Sequence, residues 1–172
     1  MNRSRKAHDV TQSTVTMDGI VPMASHNSHI RKALLADAET VATCIDAAYA
    51  GYSNRISDLP SVSEGCAEEI MQDRVWLAIQ DNEIAGALFL VPQDGFMKLA
   101  NLAVHPKHGG KGMGTELIAF AELEAIKQGY TEMRLNTHIL MPENIALYKK
   151  LGWVELSRKG NTVSLKKRLP AV

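Results

Sequence analysis

The stretch LANLAVHPKHGGKGMGTELIAFAELEAIKQGY, residues 99–130, leaves this chain few ways to fold. Its first part, 99–104, is apolar and stops at Pro106, which has no N–H to continue a ladder. Gly109, Gly110, Gly112 and Gly114 then fall within six residues, just ahead of a long helical pattern. In that pattern Met113, Leu117, Ala121 and Ala125 recur at four-residue steps, Ile118 lies alongside, and Gly129 supplies a C′ stop. Glycines between a strand and a helix let bare amides approach a ligand. The free N–H groups of the helix start, backed by the positive end of its dipole, suit a phosphate. The stretch therefore predicts an anion cradle for a phosphorylated cofactor.

The neighbouring patterns place that cradle in a sheet. Met133, Leu135 and Thr137 alternate with Glu132, Arg134 and Asn136, which predicts a strand after the helix. Two strands flanking one helix pair in parallel through a right-handed crossover. Upstream, residues 30–34 predict a first strand, and Asp37 an N-cap for a helix with the stripe Val41, Cys44, Ile45 and Ala48. Residues 49–62 mix turn formers with Tyr49, Tyr52 and Arg55, and Ser63 predicts the cap of a second helix through Met71. Apolar runs at 75–79, 84–91 and 96–104, joined at Asp81-Asn82-Glu83 and Gln93-Asp94-Gly95, predict an antiparallel meander. Pro142 opens a short helix that stops at Gly152, and a hairpin turning at Lys159-Gly160-Asn161 closes the chain. The expected fold is mixed α/β: a central sheet of about seven strands, an N-terminal meander, one splayed parallel pair and about four helices.

The chain's 172 residues suit one domain with its own core. Residues 1–28 are polar and aperiodic, a flexible extension, and 29–172 form the domain. Lys+Arg and Asp+Glu both number 19, so net charge exerts no overall pull toward nucleic acid or anionic membrane. Cys44 and Cys66 lack metal-ligand spacing and read as small core residues before they read as a disulfide. No apolar run reaches the roughly 18 residues of a membrane span, and no apolar segment follows the basic start. A cytoplasmic protein is expected.

Two familiar phosphate motifs fail on context. A Walker loop needs Gly-Lys followed by Ser or Thr, whereas Lys111 is followed by Gly112. A dinucleotide fingerprint should open a βαβ unit, and here a meander precedes the glycines. The pattern instead resembles the GNAT superfamily of N-acetyltransferases. Its pyrophosphate loop, Gln/Arg-x-x-Gly-x-Gly/Ala, falls on Gly109, Gly110, Lys111, Gly112, Met113 and Gly114, with Gly109 in place of the Gln or Arg. A second match is Asn144-Ile145-Ala146-Leu147-Tyr148 followed by Leu151-Gly152-Trp153, which is similar to that family's Asn-x-x-x-x-Tyr…Gly-aromatic segment.

The resemblance implies acetyl-CoA as donor, held by the loop with Thr115, by strand residues Leu102, Ala103 and Val104, and by Asn144. It implies Tyr148 as general acid for the departing thiolate. A tyrosine at that helical position also suits a core aromatic with a wet hydroxyl. The histone-acetylating members carry a glutamate on the strand before the loop, where this chain has Lys98. His138 is the first substitute base, with His105 and Asn101 next, Asn101 by holding a water or the substrate. Tyr52 and Arg55 are candidate substrate contacts. No metal is expected. The implied acceptor is a primary amine of a small molecule. The alternatives are a peptide or protein acceptor, which a wide acidic groove would favour, and a non-catalytic acyl-CoA-binding module. The resemblance also implies a homodimer.

Overall fold

A computed structural model describes residues 21–22 and 28–171. The expectation of a flexible 1–28 lies outside the described residues except at Val21, Pro22 and Ser28, which sit in strands. In chain order the elements are β1 (Val21–Pro22), β2 (Ser28–Lys32), α1 (Ala38–Tyr49), α2 (Cys66–Met71), β3 (Val75–Gln80), β4 (Glu83–Gln93) and β5 (Phe96–Val104). Then come α3 (Met113–Lys127), β6 (Glu132–His138), α4 (Pro142–Lys150), β7 (Val154–Lys159) and β8 (Thr162–Arg168). They build one mixed sheet in the order β1-β2-β3-β4-β5-β6-β8-β7. Of its described pairs, β5–β6 is the parallel one. The two-residue β1 adds an eighth strand to the seven expected.

Local chemistry explains most boundaries. Asp81 and Asn82 both hold positive φ, 51° and 62°, as a tight two-residue hairpin turn requires. Strand β2, expected at 30–34, starts and ends two residues earlier, and the Asp37 carboxylate folds the chain back just beyond it. It accepts from the Leu34 N–H at 2.8 Å and from Arg31 Nη1 at 2.7 Å. Asp37 thus closes a short 3₁₀ turn and offers no side-chain cap to α1. The Arg31 hydrogen bond also holds its carboxyl below the usual range. Ser63 does not cap α2, whose N-cap is Gly65 at φ 77°. The helix after the glycine turn begins at Met113 and takes Gly114 into its first turn.

Two apolar layers sandwich part of the sheet. On one face Leu117, Ile118, Ala121 and Ala125 of α3 meet Met97, Met133, Leu135 and Leu165. On the other, Val41 and Ile45 of α1 and Ile70 of α2 cover Leu77, Ala87 and Ala103. Both cysteines are buried free thiols, and burial pushes the Cys44 thiol up to about 11. The second layer stops at β5. Beyond it, on the side away from α3, Arg134, Asn136, Ser164, Lys166 and Arg168 are partly or fully exposed.

A bulge in β5 shapes the site. Phe89 pairs with Asn101 and Leu90 with Leu99, so Ala100 is left over. Before it Met97 and Leu99 face α3; after it Leu102 and Val104 do. The strand therefore changes face, and Ala103 packs under α1. Gly86, opposite Val104, allows that approach: an added Cβ would lie 3.0 Å from the Ala103 carbonyl oxygen and from Leu117 Cδ1. Gly86→Ala should cost about 1–3 kcal/mol by overpacking, seen as a lower urea midpoint. An unchanged midpoint would show that β4 and β5 separate without cost.

Candidate active-site cleft

Strands β5 and β6 pair only through Met97–Met133 and Lys98–Arg134. Where Ala100 bulges they part, and a cleft of about 560 Å³ opens between them. Leu102, Ala103 and Val104 line one wall; Asn136, Thr137 and His138 line the other. The edge of β5 turned toward β6 is thus an unpaired strand edge, able to bond an extended ligand.

The glycine turn closes one end of the cleft through Gly114. Gly110 and Gly112 hold φ at 74° and 82°, and an added Cβ at either would meet nothing within 4 Å. Gly112 is the N-cap of α3 and brings no capping side chain. The first helical amide bonded there is Glu116, to Gly112 O at 3.0 Å. The amides of Met113, Gly114 and Thr115 stand ahead of that bond at the positive end of the dipole. Gly109 is extended, at φ −70° and ψ 163°, and Lys111 lies exposed beside it.

At the other end α4 presents Tyr148 and Asn144. Tyr148 is 8% exposed and stacks edge-on against Trp153, ring centres 5.6 Å apart. Burial pushes its hydroxyl pKa well up, with the neighbouring Tyr49 adding to the rise. Tyr49 is itself pushed up to about 12, mainly by burial, and donates to Asn101 Oδ1 at 3.2 Å. Asn101 Nδ2 donates to the Val62 carbonyl at 3.2 Å, so both ends of this amide are engaged. Asn144 Nδ2 approaches Met141 Sδ at 3.5 Å.

The segment 52–62 crosses the cleft mouth, and Tyr52, Leu59, Pro60 and Val62 line the cavity from it. Arg55 lies over the Tyr52 ring and pairs with Glu143 of α4, outside the cavity wall. Asp58 reaches His138 Nε2 at 3.1 Å and accepts from Asn161 Nδ2 at 2.9 Å. His138 Nδ1 accepts from the Leu140 N–H at 3.0 Å, so Nε2 carries the ring proton and donates it to Asp58. Both imidazole nitrogens are therefore committed. His105 and His108 lie elsewhere, beside Glu83. Neither Asp58 nor the Ala100 bulge carries a local signal in the sequence.

This geometry has known counterparts. A family model described as acetyltransferase (GNAT) domain matches residues 71–155. Over that stretch the chain carries a GNAT acetyltransferase domain. "Probable N-acetyltransferase 14" of Xenopus tropicalis is 30% identical over 87 residues, which cover 49% of this chain and 42% of that protein. The match thus spans less than half of that relative's length. Among solved structures, the PaiA N-acetyltransferase of Thermoplasma acidophilum in complex with coenzyme A superposes with a TM-score of 0.74 at 22% identity, covering 83% of this chain and 99% of that one. The ribosomal-protein-S18-alanine N-acetyltransferase of Escherichia coli gives 0.68 at 20%, covering 83% and 93%. Both likenesses concern the fold. The GNAT match covers the meander, the glycine turn, β6 and α4, whereas Tyr49 and the 52–62 segment at the cleft mouth lie outside it.

Proposed function

We propose that this chain transfers an acetyl group from acetyl-CoA to a primary amine by direct attack. The observation that carries the reading is one continuous cleft joining an uncapped glycine turn, an unpaired strand edge and a buried tyrosine hydroxyl. The Gly109 amide donates to the Pro106 carbonyl at 3.2 Å, so the amides of residues 110–115 hold the pyrophosphate, the β5 edge at Leu102, Ala103 and Val104 holds the pantetheine arm, and Asn144 contacts it. A β5 amide near Ala103 or Val104 donates to the oxyanion, and Tyr148 protonates the leaving thiolate.

His138 could take a proton only by releasing Leu140, so the acceptor enters as free amine and His138 holds Asp58 in place. Asn101 acts by fixing Val62 and Tyr49 at the mouth, and Tyr52 faces the acceptor. Arg55, clasped to Glu143, ties the crossing segment down. That covered mouth supports a small-molecule acceptor. A peptide amine is the second reading, and the exposed sheet face below the cleft favours it. A cytoplasmic homodimer goes with either.

Calorimetry with acetyl-CoA, paired with a thiol-release assay across small amines and peptides, tests the reading. Binding with amine-dependent thiol release is expected. Binding without release for any amine would leave an acyl-CoA-binding module, and failure to bind would remove the cradle as well.

A further inference from the structure

We propose that the open face of β6 and β8 docks an acidic segment of a peptide acceptor whose amine enters the cleft. The inference rests on the acetyl-transfer reading and takes its peptide form. Lys98, Arg134 and Lys166 stand opposite one another across β5, β6 and β8, and Arg168 stands opposite Glu132 beside them. Their alternate neighbours fix which way they point. Met133 and Leu165 are buried toward α3, and Lys167 reaches Glu122 on α3 at 2.7 Å, so Arg134, Lys166 and Arg168 project from the other face. Among the described residues no helix covers them there.

Among the described residues, two of the four cations pair with a carboxylate on this face, Glu132. Glu132 accepts from Arg134 Nε at 2.6 Å and lies 3.8 Å from Lys166 Nζ, while Lys98 has no ion pair among the described residues. The Arg134 hydrogen bond, with the charges of Lys166 and Arg168, keeps Glu132 ionised to unusually low pH. Since the chain as a whole is neutral, the surplus is local. Neighbouring strands are about 4.8 Å apart, so the row Lys98–Arg134–Lys166 is about 10 Å long.

The row also lies close to the chemistry. Ala100 and Asn136, both lining the cleft, follow Lys98 and Arg134 by two residues, about 7 Å along the strands. An extended peptide with its amine in the cleft would bring roughly its third to fifth residues over the row. Carboxylates there meet unpaired positive charge, whereas a lysine-rich acceptor is repelled. A nucleic acid finds little to stack on, since Phe96 is covered by the Arg134 guanidinium at 4.2 Å.

The test uses two peptides with a free N-terminus, carrying Glu or Gln at positions three to five. Acetylation kinetics are measured for both, along with fluorescence anisotropy of labelled, already acetylated versions in the presence of CoA. The Glu peptide should show a KM and Kd roughly tenfold lower at low salt, the preference fading at high salt. Lys98→Ala should reduce the preference and the pair Lys166→Glu with Arg168→Glu should abolish it, both leaving turnover of small amines unchanged. Equal affinity for the two peptides overturns the proposal, as does a face that binds single-stranded RNA but not the Glu peptide. Anisotropy needs no acetyl transfer, so a chain that releases no thiol loses the proposed function while docking is still decided.

Discussion

Tyr148→Phe should lower kcat by about 10² to 10³-fold, within the range contributed by a positioned general acid, and leave acetyl-CoA affinity within about twofold. The hydroxyl lies at the cleft wall in an apolar setting, where the phenolate is penalised and the neutral O–H persists. A raised pKa means the acid form is kept upward in pH, beyond the ordinary tyrosine value of about 10. Wild-type turnover should therefore rise with pH as the acceptor amine loses its proton, without a falling limb from Tyr148 below about pH 10. The phenylalanine ring preserves the edge-on contact with Trp153, and no described hydrogen bond is lost, so stability should hold. Rapid-mixing kinetics with an unfolding curve on the same sample separate the two effects. A Phe variant with full turnover and the wild-type pH profile would take Tyr148 out of the acid role.

What could be read from the sequence was what depends on near neighbours. The four-residue steps of Met113, Leu117, Ala121 and Ala125 place all four in the core. Asp81-Asn82 marks its own hairpin because both residues tolerate positive φ. The glycine turn is legible for the same local reason, Gly110 and Gly112 holding φ at 74° and 82°. Long-range ties had no such signal. Asp58 and His138 are 80 residues apart, so the tie that commits both His138 nitrogens could not be foreseen from a histidine after a strand. The bulge at Ala100 sits among Leu99, Asn101 and Leu102, where alternation is too weak to show a change of face. Asp37 looked like a helix cap because nothing local reveals that Arg31 and Leu34 claim its carboxylate first. Lys98 shows the same limit in function. Alone it marks a missing base; beside Arg134 and Lys166 it becomes part of a charged row.

Gly112→Asp should weaken CoA binding by roughly thirtyfold, with little change in stability. Position 112 holds φ at 82°, a region aspartate enters more readily than most residues, at about 1 kcal/mol. An added Cβ meets nothing within 4 Å, so the side chain fits without displacing its neighbours. Its carboxylate interacts favourably with the start of α3, which offsets part of the backbone strain. Toward the ligand the sign reverses. A fixed negative charge about 8 Å from the pyrophosphate, at the dielectric of a protein surface, costs about 2 kcal/mol, or roughly thirtyfold in Kd. Gly112→Asn separates charge from shape: it carries the same backbone strain and nearly the same volume, and should bind CoA within about threefold of wild type. The gap between Asp and Asn should narrow as salt rises, because the turn is exposed. Equal Kd values for the two variants, measured by calorimetry at low salt, would mean that the phosphates do not sit at this turn. In the proposed function Gly109 contributes no side chain where the family carries Gln or Arg, so the pyrophosphate would rest on backbone amides, and one fixed charge among them should offset much of what they contribute.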